Sequence, residues 1–216
     1  MKANEYKRIL SVCVLLAALI MTACGYHAPE GYTKEHHTLA EIEEYAKALD
    51  PQATVSDEYQ DLSEDNREFR IWPAVIDEIS CNVASASANV YNDGVAGGEF
   101  SRTYYLIDTD YDYYRIEKTL GDHPELGEIK EDNAFNRFQV NDVISSEVTA
   151  DSLNTQQLES LWDSYCKMND ALSAYPLHKS YWLEIIVAGK KYYFTGTAQE
   201  DFEDVRGRMK EDGVLE

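Results

Sequence analysis

Residues 181–195, YWLEIIVAGKKYYFT, form the clearest strand–turn–strand pattern in the chain. Between residues 181 and 187 the side chains at alternate positions (Tyr, Leu, Ile, Val) are large and apolar, which is the period of a strand that buries one face. A turn is expected at Gly189-Lys190, because glycine adopts the positive φ that tight hairpin turns require. Residues 191–195 then return as the partner strand. The stretch therefore predicts an antiparallel β-hairpin.

Helices are expected on both sides of this hairpin. Before it, residues 155–173 carry apolar side chains three and four positions apart, with Asn154 as the N-cap and Gln157 at the reciprocal position. After it, Thr197 and Glu200 have the spacing of a capping box that opens a last helix, which Gly213 ends.

Two shorter helices are expected earlier in the chain. Thr38 and Glu41 form a capping box, and the apolar residues after them keep a helical period until Asp50-Pro51. Residues 110–120 begin with acids, which favour the positive end of the helix dipole, and Gly121 follows their apolar face.

Strands are expected between and after these two helices where side chains alternate. Residues 62–68 are polar and predict a loop, and Pro73 predicts a strand that is an edge or bends. The sequence ISCNVASASANVY, after a turn at Asp77-Glu78, has small side chains on both faces. This is typical of a strand that a helix covers closely or that lines a cleft. The expected strands are residues 53–59, 69–76, 79–91 and 99–107, and a further strand is expected around residues 136–140.

Short helices mixed with antiparallel strands, without a regular strand–helix alternation, indicate an α+β fold. We expect an antiparallel or mixed sheet packed against about three to four helices. We expect these elements to form a single globular domain over residues 38–216.

The first 25 residues follow a different pattern. Lys2, Lys7 and Arg8 precede an apolar run at residues 9–21. The run is too short to cross a bilayer core, which needs about 20 helical residues, and it has the length of a signal-peptide core. The sequence Met21-Thr22-Ala23-Cys24 resembles the lipobox of bacterial lipoprotein precursors.

In that family the cysteine is lipidated and the signal peptide is cut just before it. The resemblance implies a signal peptide at residues 1–23 and a lipidated N-terminus with a flexible tether at residues 24–37. It also implies a location at the extracytoplasmic face of the cell membrane. The alternative is an ordinary secretory signal with a chance cysteine. His36-His37 falls in the tether, where no cysteine or carboxylate pattern completes a metal site.

The charge of the chain limits its partners. The formal net charge is −21, and loss of residues 1–23, which hold three cations and one acid, would make it −23. A nucleic-acid partner is excluded, because such binding needs clustered Lys and Arg. Anionic lipid headgroups would also repel the chain, so membrane contact must come from the lipid anchor. A basic protein partner, for example a secreted toxin, fits the charge.

Asp108, Asp110 and Asp112 are candidate metal ligands. Their alternate spacing is similar to the opening of an EF-hand calcium loop, but Tyr113 stands where that loop needs glycine and Thr119 where it needs glutamate. A noncanonical calcium site is one interpretation, and an ordinary helix N-terminus is the other. No resident cofactor is expected beyond such a calcium ion.

Tyrosines and cysteines supply the remaining candidates. Tyr104, Tyr111 and Tyr113 lie in a tyrosine-rich stretch that suits either a binding platform or a sheet core. Cys81 and Cys166 form either a disulfide, which an extracytoplasmic location allows, or two separate buried thiols.

These observations favour a membrane-anchored, acidic binding or interaction lipoprotein without catalysis. Motifs of nucleophilic hydrolases, zinc proteases and P-loop proteins do not occur in the sequence. The alternatives are a calcium- or zinc-dependent hydrolase that uses the three aspartates and a solute- or glycan-binding lipoprotein that uses the tyrosines.

Overall fold

A computed structural model describes residues 31–64, 67–93, 99–130, 138 and 143–216. The predicted signal peptide and Cys24 lie outside these residues. Within them the chain forms the helices α1 (Leu39–Leu49), α2 (Tyr111–Leu120), α3 (Thr155–Leu172) and α4 (Gln199–Glu211), and a 3₁₀ turn at Pro124–Leu126. The strands are β1 (Thr54–Val55), β2 (Gln60–Glu64), β3 (Arg67–Ile76), β4 (Ile79–Asp93), β5 (Glu99–Thr109), β6 (Glu128–Ile129), β7 (Val143–Ala150), β8 (Ser180–Val187) and β9 (Lys190–Phe194).

The first sheet is antiparallel, with β3, β4 and β5 side by side and both β1 and β2 paired to the outer edge of β3. The predicted turn at Asp77-Glu78 is present, and both residues have positive φ (48° and 61°). Pro73 lies between the stretches of β3 that pair with β2 and with β1. Its carbonyl accepts a 2.8 Å hydrogen bond from Ser56 N on the outer side. In an antiparallel strand the N–H and the C=O of one residue point to the same side. The N–H that proline lacks would therefore point into the gap between β2 and β1.

The prediction of a loop at residues 62–68 is wrong for the described residues, because residues 62–64 belong to β2 and residues 67–68 to the start of β3. Gln60, Asp61 and Leu62 are all exposed. A strand on the outer edge of a sheet with this exposure carries no apolar alternation, so its sequence looks like a loop.

The second sheet is mixed, in the order β6-β7-β8-β9. The predicted hairpin is β8 and β9, but its turn is Ala188-Gly189, one residue earlier than expected, with φ of 50° and 79°. β7 pairs with β8 in parallel, and α3 makes the crossover between them. The sequence did not predict β7. The strand expected around residues 136–140 lies outside the described residues except for Phe138.

Buried apolar residues of the described chain form three clusters, and the two larger ones join the helices to the sheets. The smallest lies on the first sheet around Phe69, Ala84 and Phe138. The second sheet packs against α2, α3 and α4 through an aromatic centre in which the Trp162 and Phe194 ring centroids are 4.9 Å apart. The first sheet packs against α1 through Ile42 and Ala46, both fully buried. Tyr114 contacts both clusters, so α2 joins the two sheets into one domain. The α+β prediction is confirmed.

The helix ends follow the predicted capping with one exception. The capping boxes at Thr38 with Glu41 and at Asn154 with Gln157 are both present. The last helix begins at Gln199, and Asp201 Oδ2 accepts a hydrogen bond from Ala198 N at 3.3 Å. The N-cap is therefore Ala198, whose side chain cannot accept a hydrogen bond, so the capping box predicted from Thr197 and Glu200 is wrong and only the bond to Asp201 is formed.

No helix in the described part of the chain has both the length and the apolar character needed to cross a membrane.

Candidate functional site

The three predicted aspartates lie where β5 ends and α2 begins. Asp108 is near the end of β5, Asp110 is the residue before α2, and Asp112 is in its first turn. Acids are stabilised at this end of a helix by its dipole and by free backbone N–H groups. The expectation of a helix N-terminus is therefore met.

Asp110 joins the start of α2 to β4. The residue is 1% exposed, and its Oδ1 accepts a hydrogen bond from Asn82 N while its Oδ2 accepts one from Asn82 Nδ2 at 2.7 Å. Thr109 Oγ1 also donates to the Asn82 carbonyl at 2.8 Å. These bonds use both carboxylate oxygens of Asp110 to hold the two elements together.

Asp112 joins α2 to the segment that leads into β8. Its Oδ2 accepts hydrogen bonds from His178 N at 2.7 Å and from Lys179 N at 2.6 Å. Its Oδ1 is buried and has no hydrogen-bond partner among the described residues, and the residue is 1% exposed. Burial raises the pKa of Asp112, and the two N–H donors oppose that shift.

The carboxyl group of Asp108 has a pKa far above its ordinary value. Burial, with smaller contributions from Asp112 and Asp110, raises its pKa to about 7, against the attraction of Lys179. Tyr45 of α1 lies close to these aspartates. Burial raises the pKa of its hydroxyl group, and the charges of Asp108 and Asp112 raise it further. A carboxyl group with a pKa near neutrality can exchange a proton at physiological pH, which is the property of a general acid or base.

The three aspartates do not gather around one point. No cluster of three or more His, Cys, Asp or Glu side chains in the described ranges has the arrangement of a metal site. Asp110 faces β4 and Asp112 faces the loop before β8, because each is bound by N–H donors of a different segment. The calcium interpretation therefore gains no geometric support from these residues.

The three candidate tyrosines are interior residues and do not form an exposed platform. Tyr104, Tyr111 and Tyr113 are 1%, 0% and 4% exposed. Tyr111 belongs to the cluster under α1, and Tyr113 to the aromatic cluster of the second sheet. The structure therefore agrees with the interpretation of this stretch as part of the core and not as a binding platform.

Cys81 and Cys166 are both free thiols, so the disulfide alternative is not what the structure contains. Cys81 is buried in the cluster under α1, whereas Cys166 packs against the cluster of the second sheet. Burial raises the pKa of Cys81 to about 12 and also raises the pKa of Cys166. Neither environment favours a reactive thiolate.

Residues 33–37, expected in the flexible tether, instead pack on the first sheet as a strap. Thr33 and Tyr105 exchange two backbone hydrogen bonds of 2.8 and 2.9 Å, and His37 N donates to Ser85 Oγ at 2.9 Å. The small side chain of Ser85 on β4 leaves room for this segment. Only the serine and alanine pattern of that strand indicated that something covers it closely.

The strap brings together a serine, a histidine and a carboxylate. His36 Nδ1 lies 3.2 Å from Ser85 Oγ, and His36 Nε2 lies 3.5 Å from Glu68 Oε2. This order of groups is that of a catalytic triad. However, Ser85 is 0% exposed and already accepts the His37 N–H, so its hydroxyl is not open to a substrate. Burial lowers the pKa of both His36 and His37, which favours the neutral form of the two imidazoles.

Comparison of the chain with protein families, with curated proteins and with solved structures found no match.

Proposed function

We propose that the chain is a lipoprotein, anchored through Cys24 at the extracytoplasmic face of the membrane, whose acidic domain binds a basic protein partner. The observation that carries the proposal is the sequence of residues 1–25. This segment begins with positive residues and continues with an apolar run that is too short to span a membrane. The Met21-Thr22-Ala23-Cys24 motif follows, and this is the order that lipoprotein processing requires. Several acyl-chain methylenes, each contributing about 0.8 kcal/mol, hold such a protein at the bilayer.

The surface charge supports binding of a cationic partner. The chain has a formal net charge of −21. Within the described residues, Glu159, Asp163 and Asp170 on the exposed face of α3 make no ion pair with Lys or Arg. Unpaired acids on a chain of this charge attract a basic partner and accelerate its association.

A binding role is also favoured by how the other candidates are used. Asp110 and Asp112 accept hydrogen bonds from protein N–H groups, and the candidate tyrosines are in the core. These side chains therefore maintain the fold, which leaves the acidic surface as the part of the described chain best suited to contact another molecule.

The anchoring part is tested by expressing the Cys24→Ser variant and partitioning cell extracts in Triton X-114. The native chain should enter the detergent phase, and Cys24→Ser should move to the aqueous phase or to uncleaved precursor. Cys13→Ser is the matched control, because it changes the other cysteine of the N-terminal segment and should leave partitioning unchanged. Native-like detergent partitioning of Cys24→Ser would refute the anchor.

The binding part is tested by mixing the detergent-solubilised protein with a panel of purified basic and acidic proteins of similar size. Association with basic proteins only, weakening as salt rises from 50 to 500 mM, is expected because exposed charges are screened at high ionic strength. Equal association with basic and acidic proteins would contradict the proposal.

A further inference from the structure

A groove lies between the C-terminal half of α2 and the short strand β6. Its volume is 630 Å³, and its floor is formed by Tyr113, Leu120 and Ile129. Two acidic side chains, Glu117 on α2 and Glu128 on β6, stand on opposite sides of it and are both exposed. The volume is in the range of sites that hold one small ligand or a few side chains.

The wall formed by β6 is fixed in place by several contacts. Ser146 Oγ donates to the Leu126 carbonyl at 2.6 Å, and Lys130 N donates to the Ser145 carbonyl at 2.9 Å. At Gly127, φ is 76° and an added Cβ would lie 2.0 Å from the Glu147 carbonyl oxygen, so the backbone needs glycine to approach β7 this closely. A groove with fixed walls loses little conformational entropy when it is occupied.

The charges around the groove are not neutralised. Within the described chain, neither Glu117 nor Glu128 has an ion-pair partner. The nearest cation after β6 is Lys130, whose Nζ lies 2.9 Å from both Glu147 Oε2 and Glu184 Oε2 and is therefore engaged elsewhere. Asp122 and Glu125, in the turn that joins the two walls, are also exposed and add negative potential.

An apolar floor between two unpaired carboxylates matches one kind of occupant. Resting on the proposed binding of a basic partner, we infer that this groove receives a cationic amphipathic segment of that partner. An apolar side chain of the segment rests on Leu120 and Ile129, and a Lys or Arg on either side meets Glu117 and Glu128. The exposed acids of α3 lack such an apolar floor, because the apolar side chains of that helix face the core.

The test uses a fluorescein-labelled hexapeptide amide, KLKKLK, titrated by anisotropy with the purified full chain in a nonionic detergent. Detergent without protein gives the background. The variant Glu117→Gln/Glu128→Gln removes the two rim charges. The variant Glu159→Gln/Asp163→Asn removes two charges from the exposed face of α3 and is the matched control. Thermal unfolding of each variant verifies that it is folded.

We expect the rim variant to raise the Kd for KLKKLK about fivefold and the α3 variant to change it by less than about twofold, because only the rim charges contact the peptide. The peptide KSKKSK, with the same charge and no large apolar side chain, should bind several-fold more weakly than KLKKLK.

Three outcomes would overturn the groove assignment. Equal weakening in the two variants would mean that only the general negative field acts, and the proposal of a basic partner would survive. Equal affinity for KSKKSK would mean that the apolar floor is not used. Absence of binding by either peptide would count against both the groove and the basic partner, while the Cys24 partitioning assay judges the anchor separately.

Discussion

The guanidinium group of Arg115 lies over the ring of Tyr175, with its central carbon 3.8 Å from the ring centroid. The same guanidinium pairs with the Asp77 carboxylate and donates to the Asp77 carbonyl at 2.7 Å. One buried side chain of α2 therefore contacts the β3–β4 turn of the first sheet and the end of α3 beside the second. Arg115 is the polar connection between the two halves of the fold.

Replacing Arg115 should destabilise the domain. We expect Arg115→Met to lower the free energy of unfolding by about 2 kcal/mol, since it removes the partner of Asp77 and the stacking on Tyr175. Arg115→Lys should cost about 1 kcal/mol, because an ammonium cannot reproduce the planar fork. Tyr175→Phe keeps the ring and is the control. Urea unfolding measures all three, and an Arg115→Met curve that overlays the Tyr175→Phe curve would contradict this role.

Removing the Asp112 carboxylate should loosen the segment before β8. Asp112→Ala leaves the N–H groups of His178 and Lys179 without their acceptor, at a cost of about 2–3 kcal/mol. Asp112→Asn keeps a carbonyl acceptor and should cost less. Hydrogen exchange should show faster exchange at residues 178 and 179 in Asp112→Ala. Unchanged protection at residues 178 and 179 would show that the two hydrogen bonds do not stabilise this segment. Asp163→Ala, on the exposed face of α3, is the control for loss of a carboxylate.

The stability of the protein should depend on pH through Asp108. Its folded-state pKa of about 7 lies above the ordinary value of 3.8, so the unfolded chain loses this proton first as pH rises. The contribution of Asp108 therefore becomes more destabilising from about pH 4 to about pH 7 and is constant above that range. Asp108→Asn removes the titration.

The stability gained by Asp108→Asn should grow by about 3 kcal/mol between pH 4.5 and pH 8, measured by urea unfolding of both proteins. The difference between variant and native protein cancels the titration of groups that do not interact with Asp108, His36 and His37 included. Asp122→Asn, at an exposed position, is the control. A stability gain for Asp108→Asn that does not vary with pH would show that the buried carboxyl is not perturbed.

The β8–β9 turn should tolerate one substitution and resist another. Ala188 and Gly189 both have positive φ, which asparagine and glycine adopt most easily in such turns. Ala188→Asn should stabilise the protein by about 0.5–1 kcal/mol. Gly189→Ala should destabilise it by about 1 kcal/mol through backbone strain alone, because an added Cβ would meet nothing within 4 Å. Thermal unfolding showing the opposite order would contradict the turn assignment.

The two thiols of the domain should differ in reactivity. Cys81 is buried with its pKa raised to about 12, whereas Cys166 is partly exposed. Iodoacetamide should modify Cys166 at least about tenfold faster than Cys81 in the folded protein, as followed by peptide mass spectrometry. A peptide pair linked through Cys81 and Cys166 in the unreduced protein would contradict the two separate thiols.

The sequence predicts the elements of this fold whose signals are local. α1 and α3 carry an apolar stripe together with a capping box, and the β8–β9 hairpin carries a strict alternation. β2 has no such alternation because it lies on an exposed edge. The parallel pairing of β7 with β8 depends on the crossover through α3, and short-range spacing contains no information about a partner that far along the chain.

The site shows the same division between local and distant information. The spacing of Asp108, Asp110 and Asp112 identifies an unusual group of carboxylates at a helix start. Their actual partners, Asn82 and the backbone at residues 178–179, come from distant segments that only the folded chain brings close. A pattern within one segment therefore indicates which side chains are special, and the tertiary contacts decide whether they bind a ligand or hold the protein together.

The pairing of Thr33 with Tyr105 sets an upper limit on the distance between the domain of the proposed lipoprotein and the membrane. Thr33 follows Cys24 by nine positions, and a fully extended chain of that length reaches about 30 Å. The edge of the first sheet at Tyr105 therefore stays within roughly one bilayer thickness of the lipid surface. A space of at most about 30 Å admits no folded protein larger than a small domain, so a larger partner of the proposed lipoprotein would approach from the side or from the outside.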